Sequence, residues 1–96
     1  MINKVSVEGR VTINNSDQMR RRLRYALRAK PTQTTVDLSQ ATYMDTSGVA
    51  TLLETVHAAR RQGTRLVLSG LRGQPRYLLE ETQFDLFFEI AKESSA

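Results

Sequence analysis

Residues 36–53 read VDLSQATYMDTSGVATLL, in which a strand, a turn and a helix are expected to follow one another. The β-branched run at residues 34–38 predicts the strand, and residues 41–44 either prolong it or lead into the turn. Residues 45–48 combine an aspartate, two hydroxyl residues and a glycine, which is typical of a turn that opens a helix. The apolar residues beyond the turn recur at helical spacing and predict a buried helix stripe: Val49, Leu52, Leu53, Val56 and Ala59.

Upstream of this stretch, apolar residues alternate with polar ones on both sides of Gly9, which predicts a strand or a bent hairpin: Val5, Val7, Val11 and Ile13. Residues 14–17 are rich in helix N-cap residues, and Gln18 lies three positions after Asn15, as in a capping box. The helix that follows is expected to bury one apolar stripe: Met19, Leu23, Ala26 and Leu27. Pro31 should stop it, because the residue before a proline is biased away from helix.

Downstream, residues 64–69 predict a third strand, and Gln74 and Pro75 should open a third helix. Residues 86–90 predict a last strand, and residues 93–96 are expected to be a frayed tail. The resulting order β-α-β-α-β-α-β predicts an α/β fold with a largely parallel sheet and right-handed crossovers. We therefore expect one domain over residues 1–92.

The composition restricts the classes of function. The 96-residue chain has no cysteine, which excludes disulfides, thiolate metal sites and cysteine nucleophiles. The sequence shows no apolar leader and no apolar run near the roughly 20 residues that cross a bilayer. These features predict a soluble cytoplasmic protein that does not insert into a membrane.

The net charge of +4 is unevenly distributed, with basic residues crowded at positions 20–30 and acidic residues near the C-terminal end. Such a basic stretch could bind nucleic acid, anionic lipid or an acidic protein partner. Tyr25 is the only aromatic residue within it, and no helix-turn-helix or RNA-binding signature accompanies it. We interpret the stretch as the solvated face of a helix and expect no nucleic-acid partner.

The turn at residues 45–48 lies between a strand and a helix, where open α/β sheets place their ligand sites. Its simplest interpretation is a cap, in which Asp45 or Thr46 accepts hydrogen bonds from the first N–H groups of the helix. A hydroxyl there could also be phosphorylated, gaining roughly −1.5 to −2 charges that the same N–H groups could stabilise. An enzyme that uses Asp37 and Asp45 as acid and base is a weaker alternative, because no third group or pocket accompanies them. No metal site is predicted.

Residues 36–53 resemble the STAS domain, named for sulfate transporters and anti-sigma factor antagonists. The resemblance continues through residues 59–63, 66–71, 77–80 and 84–87, and upstream through residues 7–11. It implies a mixed, mostly parallel sheet of four to five strands with about three to four helices. It also implies an interaction domain that is not an enzyme and needs no cofactor.

In the antagonist branch of this family, the hydroxyl residue after the turn aspartate is phosphorylated by a kinase that is also the anti-sigma factor. The resemblance therefore implies phosphorylation at Thr46, or less readily at Ser47. The unphosphorylated domain would bind the anti-sigma factor, and phosphorylation would release it. The implied partner-binding set is Thr12, Asn14, Asn15, Asp45, Thr46, Ser47, Gly48 and Val49.

A second branch of the family leaves an alternative open. Small STAS proteins also serve as cytoplasmic subunits of lipid-transporting ABC systems, where they bind and regulate the ATPase. Thr12 occupies a position at which antagonists often carry aspartate, and the chain ends soon after Ile90, where many antagonists continue into a helix. Both features are compatible with the transporter branch.

Overall fold

Four parallel strands and three α-helices alternate along residues 1–92, which are the residues that the computed structural model describes. In chain order they are β1 (Ile2–Val11), α1 (Ser16–Arg28), β2 (Gln33–Met44), α2 (Thr46–Arg61), β3 (Arg65–Ser69), α3 (Gly73–Glu81), a 3₁₀ turn (Phe84–Phe87) and β4 (Glu89–Ile90). The predicted α/β class and element order are confirmed. The predicted tail at residues 93–96 lies outside the described residues.

The sheet has the strand order β1-β2-β3-β4, and all three of its pairings within residues 1–92 are parallel. The carboxyl ends of the strands therefore meet at one edge of the sheet, where α1 and α2 begin. These two helices pack against each other and against one face of the sheet. Fully buried side chains from both layers form the centre of the core: Leu23, Val36, Leu38, Leu52 and Leu68.

β1 is one continuous strand rather than a hairpin, and it bends at Gly9. Its register against β2 shifts between Ser6 and Glu8 and again between Gly9 and Arg10. Gly9 has a φ of +73°, a conformation that glycine adopts without steric cost. The glycine thus allows the long edge strand to stay paired with β2 despite the two register shifts.

α1 begins at Ser16 with Asn15 as its N-cap, but the predicted capping box is wrong. The Asn15 side chain makes no cap hydrogen bond and instead bonds to the loop before the helix. The predicted apolar stripe is confirmed, since Met19, Leu23 and Leu27 are buried. The helix ends at Arg28, ahead of Pro31.

The predicted last strand at residues 86–90 is largely wrong. Residues 84–87 form the 3₁₀ turn, and only Glu89 and Ile90 pair with β3. Gln83 precedes the turn with a φ of +61°, which redirects the chain away from an extended path. As a result Phe88 is buried, whereas Leu86 is 77% exposed.

α3 begins at Gly73, so Pro75 lies in its first turn and not at its first position. Pro75 and Leu79 are buried against the rest of the domain. No helix among residues 1–92 has both the length and the apolar character needed to cross a bilayer.

Candidate partner-binding site

Asp45 joins the start of α2 to the loop between β1 and α1. It is the N-cap of α2, and its Oδ1 accepts hydrogen bonds from the backbone N–H groups of Ser47 at 3.0 Å and Gly48 at 3.3 Å. Its Oδ2 accepts from the N–H of Ile13 at 3.0 Å, and its own N–H donates to the carbonyl of Val11 at 3.0 Å. The predicted cap is confirmed, and the same carboxylate also holds a loop 32 positions away in the sequence.

These hydrogen bonds favour the charged form of Asp45. The bond from the Ser47 hydroxyl is the main cause that lowers the pKa of the Asp45 carboxyl. The backbone N–H groups that it accepts from lower the pKa further, against the opposing effect of desolvation. Asp45 is thus a carboxylate at neutral pH, placed at the helix end whose dipole favours negative charge.

The two hydroxyls of the turn have different environments. Ser47 is half-buried, and its Oγ donates to Asp45 Oδ1. Thr46 is exposed as the first residue of α2, and its hydroxyl has no hydrogen-bond partner among residues 1–92. Thr46 is therefore the hydroxyl that another molecule can reach without breaking a bond in the turn.

Two of the N–H groups at the start of α2 are already in use. Ser47 and Gly48 give theirs to the Asp45 carboxylate, so they are not free to hold a phosphate on Thr46 as the sequence suggested. A phosphate there would lie beside a charged carboxylate, and like charges repel. It would project outward from the turn into solvent or toward a bound protein.

Gly48 and Val49 lie beneath the turn rather than on its surface. Both are buried, Val49 with only 1% of its surface exposed. A Cβ on Gly48 would lie 2.6 Å from Met44 Cγ and 3.0 Å from Val11 Cγ1, so the glycine lets α2 approach the ends of β1 and β2. The expectation that both residues contact a partner is corrected, because a partner could not touch them without opening the fold.

The loop that contains Thr12, Asn14 and Asn15 is closed by its own hydrogen bonds. The Thr12 N–H donates to Asn15 Oδ1 at 2.8 Å, and Asn15 Nδ2 donates to the carbonyl of Arg10 at 2.7 Å. The Asn14 N–H donates to Thr12 Oγ1 at 3.3 Å. Thr12 and Asn15 are half-buried and shape the loop, whereas Asn14 is exposed and open to contact.

Two residues that the sequence reasoning missed complete the site. Ile13, expected in a strand, is 74% exposed because Asp45 holds its N–H in the loop. Gln74 of α3 braces Met44, the last residue of β2: its Oε1 accepts from the Met44 N–H at 2.7 Å, and its Nε2 donates to the Met44 carbonyl at 2.9 Å. A lone apolar residue among loop polar residues could have indicated Ile13, but no local signal marks Gln74, which lies 30 positions from Met44.

Asp37 and Asp45 do not form a site together. Eight positions along an extended chain separate them by roughly 26 Å. Asp37 instead accepts from the Ser39 N–H at 2.9 Å and lies 3.6 Å from Lys4 Nζ. The acid–base pair that the sequence left open therefore has no geometric basis. Among residues 1–92, no three His, Asp or Glu side chains are grouped so that they could hold a metal ion.

Comparison with known proteins identifies relatives of the whole domain. A family model described as "Mlab, STAS domain" matches residues 3–89. "Putative sulfate transporter YvdB" of Bacillus subtilis (strain 168) is 28% identical over 92 residues, which make up 96% of this chain but only 17% of that protein.

Two solved structures share the fold. The anti-sigma factor antagonist SpoIIAA in its unphosphorylated form matches with a TM-score of 0.72 at 15% identity, over 95% of this chain and 79% of SpoIIAA. A sulfate transporter family protein from Wolinella succinogenes matches with a TM-score of 0.77 at 19% identity, over 93% of this chain and 75% of that one. Because the family match spans nearly all of the described residues, this chain belongs to the STAS domain family, a family of non-enzymatic interaction domains.

Proposed function

We propose that this chain is an anti-sigma factor antagonist, a protein-binding domain whose partner binds at the turn of residues 45–48. Phosphorylation of Thr46 controls the binding. In this role the unphosphorylated domain binds an anti-sigma factor that is also a serine/threonine kinase, and the phosphorylated domain is released. The domain acts in the cytoplasm and needs no cofactor.

The exposure of the Thr46 hydroxyl is the observation that carries this proposal. Thr46 is exposed at the start of α2, while the Ser47 hydroxyl is occupied by Asp45. A kinase could therefore reach Thr46 in the folded domain, whereas phosphorylation of Ser47 would first require the bond between its hydroxyl and Asp45 to break. This difference favours Thr46 over Ser47 as the acceptor.

The surface around Thr46 supports a contact with another protein. Asn14 and the apolar side chain of Ile13 are both exposed on the loop that Asp45 ties to the turn. A partner matched to a neutral hydroxyl would have to bury a phosphate dianion after phosphorylation, at a large desolvation cost. The nearby Asp45 carboxylate adds repulsion and already occupies the N–H groups of Ser47 and Gly48.

Phosphate mapping in the host cell tests this proposal. The intact chain, Thr46→Ala and Ser47→Ala would be purified from their own host, and phosphorylated residues would be identified by mass spectrometry. We expect phosphate on Thr46 of the intact chain and of Ser47→Ala, and none on the turn of Thr46→Ala. An intact chain with no phosphate on Thr46 under any growth condition, or with phosphate only on Ser47, would contradict the proposal.

A second candidate function is that of an accessory subunit which binds and regulates the ATPase of a lipid-transporting ABC system. The exposed arginines of α1 favour it, since they suit an acidic partner surface: Arg21, Arg22, Arg24 and Arg28. The matching family model and the transporter relatives are compatible with this role. Purification of the chain from native membranes would then recover an ABC ATPase whether or not Thr46 is replaced by alanine.

A further inference from the structure

β1 forms one edge of the sheet. In the strand order β1-β2-β3-β4, nine of its ten residues have register partners in β2 on one side, and no strand among residues 1–92 pairs with its outer side. An edge strand presents a row of backbone N–H and C=O groups that can pair with another chain. The opposite edge is formed by β4, which has only two residues.

A groove of about 480 Å³ runs between this strand and α1. Its floor is mostly apolar and includes Val5, Ala26 and Tyr25, whose side chain is 74% exposed. Asn3 ties β1 to α1 and to β2 beside the groove: its Nδ2 donates to the carbonyl of Ala26 at 2.9 Å, and its Oδ1 accepts from Thr34 Oγ1 at 2.7 Å. Because side chains of an added strand alternate between faces, every second one would enter this groove.

The rim of the groove is basic. Arg21 and Arg22 project from α1 along the groove, and Lys4 projects from the opposite face of the strand. Lys4 and Arg21 lie near Asp37 and Asp17, but both cations remain well exposed. A second copy of this chain is a poor occupant, since it would bring two basic helices together. An acidic segment complements the rim.

We propose that an extended acidic segment of a partner protein adds as a strand to the outer edge of β1 and places apolar side chains in the groove beside α1. Backbone hydrogen bonds to β1 would supply affinity, and the groove and its basic rim would select the sequence. This surface lies at the first half of β1, roughly 20 Å along the strand from the Asp45 turn. It is therefore independent of the function proposed for Thr46.

A model peptide tests the proposal with the whole chain. The probe is an acetylated and amidated heptapeptide in which four glutamates alternate with three valines, titrated into ¹⁵N-labelled protein and followed by NMR. We expect shifts confined to residues 2–8 and the groove side of α1, together with slower hydrogen exchange at the outward amides of β1. The same peptide with alternating L- and D-residues keeps its charge but cannot form a regular strand, so it should produce no slowing of exchange.

Two matched arginine variants test the rim. Arg22 lies on the groove, so Arg22→Glu should weaken peptide binding about fivefold. Arg28 lies on the same helix outside the groove, so Arg28→Glu should leave the affinity for the peptide unchanged within experimental error. The proposal is overturned by any of four results: no shifts in β1, equal binding of a lysine-for-glutamate peptide, shifts without slowed exchange, or equal effects of the two variants. A wild-type chain that forms a dimer through β1 would also overturn it.

Discussion

Replacing Asp45 with alanine is expected to lower the melting temperature by several degrees and to loosen the loop before α1 together with the start of α2. The reason is that one carboxylate accepts from the N–H groups of Ile13, Ser47 and Gly48. Its loss leaves Ile13 and Ser47 without an acceptor, whereas the Gly48 N–H keeps its bond to the backbone carbonyl of residue 45. Hydrogen exchange should show the effect directly, as faster exchange at the amides of Ile13 and Ser47.

Asp17 offers a matched control on the neighbouring helix. It also lies in a first helical turn, but its carboxylate bonds to the side chains of the half-buried Arg20 and the exposed Arg21. Asp17→Ala should therefore leave the amides around Thr46 protected, because exposed ion pairs contribute little to stability. Similar exchange in the two variants, or unchanged protection in Asp45→Ala, would mean that Asp45 does not hold the turn.

The same carboxylate predicts a pH dependence. Hydrogen bonds, above all that from the Ser47 hydroxyl, lower the pKa of Asp45 in the folded protein. A lowered pKa means that the carboxylate contributes fully above its ordinary value of about 3.9, and that the contribution is lost as the pH falls through the folded value. The difference in melting temperature between wild type and Asp45→Asn should be constant near neutral pH and shrink below about pH 4. A difference that stays constant down to pH 3 would contradict this cause.

Replacing Gly48 with valine is expected to cost about 3 kcal/mol of unfolding free energy. An added Cβ would lie 2.6 Å from Met44 Cγ and 3.0 Å from Val11 Cγ1, and all three positions are buried. α2 would have to shift away from the ends of β1 and β2, which would also displace Thr46. Denaturant unfolding of the variant measures the cost.

Ala50→Val is the matched control for this substitution. Ala50 lies two residues further along α2 and is exposed, so valine there should cost only its lower helix propensity, below about 1 kcal/mol. If Gly48→Val were no more destabilising than Ala50→Val, the close approach of α2 to the strand ends would not limit this position.

The sequence predicted the part of the site that depends on local chemistry. The aspartate between a strand and an apolar stripe is a local signal, and Asp45 does cap α2 through Ser47 and Gly48. The same holds for the stripe of α2, where Val49, Leu52 and other expected residues are buried. The cap joins chain neighbours, and the spacing of the stripe is a local pattern, so both can be predicted from the sequence.

The features that the sequence did not predict depend on distant partners. Asn15 is a residue type that commonly caps helices, but its side chain bonds instead to the carbonyl of Arg10 and the N–H of Thr12. The alternating sequence pattern predicts Ile13 in a strand, but its N–H bonds to Asp45 and holds the residue in the loop. Gln74 gains its role only when α3 is placed beside the end of β2. Burial explains the remaining difference, because a local pattern does not reveal that Gly48 lies under the turn, against Met44 and Val11.

Binding of the isolated partner to two chemically defined forms of the domain tests the central claim most directly. The anti-sigma kinase would be titrated by calorimetry with the unphosphorylated domain and with a domain carrying phosphothreonine at position 46. A domain phosphorylated at the exposed Thr82, the C-cap residue of α3, serves as the control. We predict that phosphate on Thr46 weakens binding at least about a hundredfold and that phosphate on Thr82 does not. Equal affinities of the partner for the unphosphorylated and Thr46-phosphorylated domains would contradict the account.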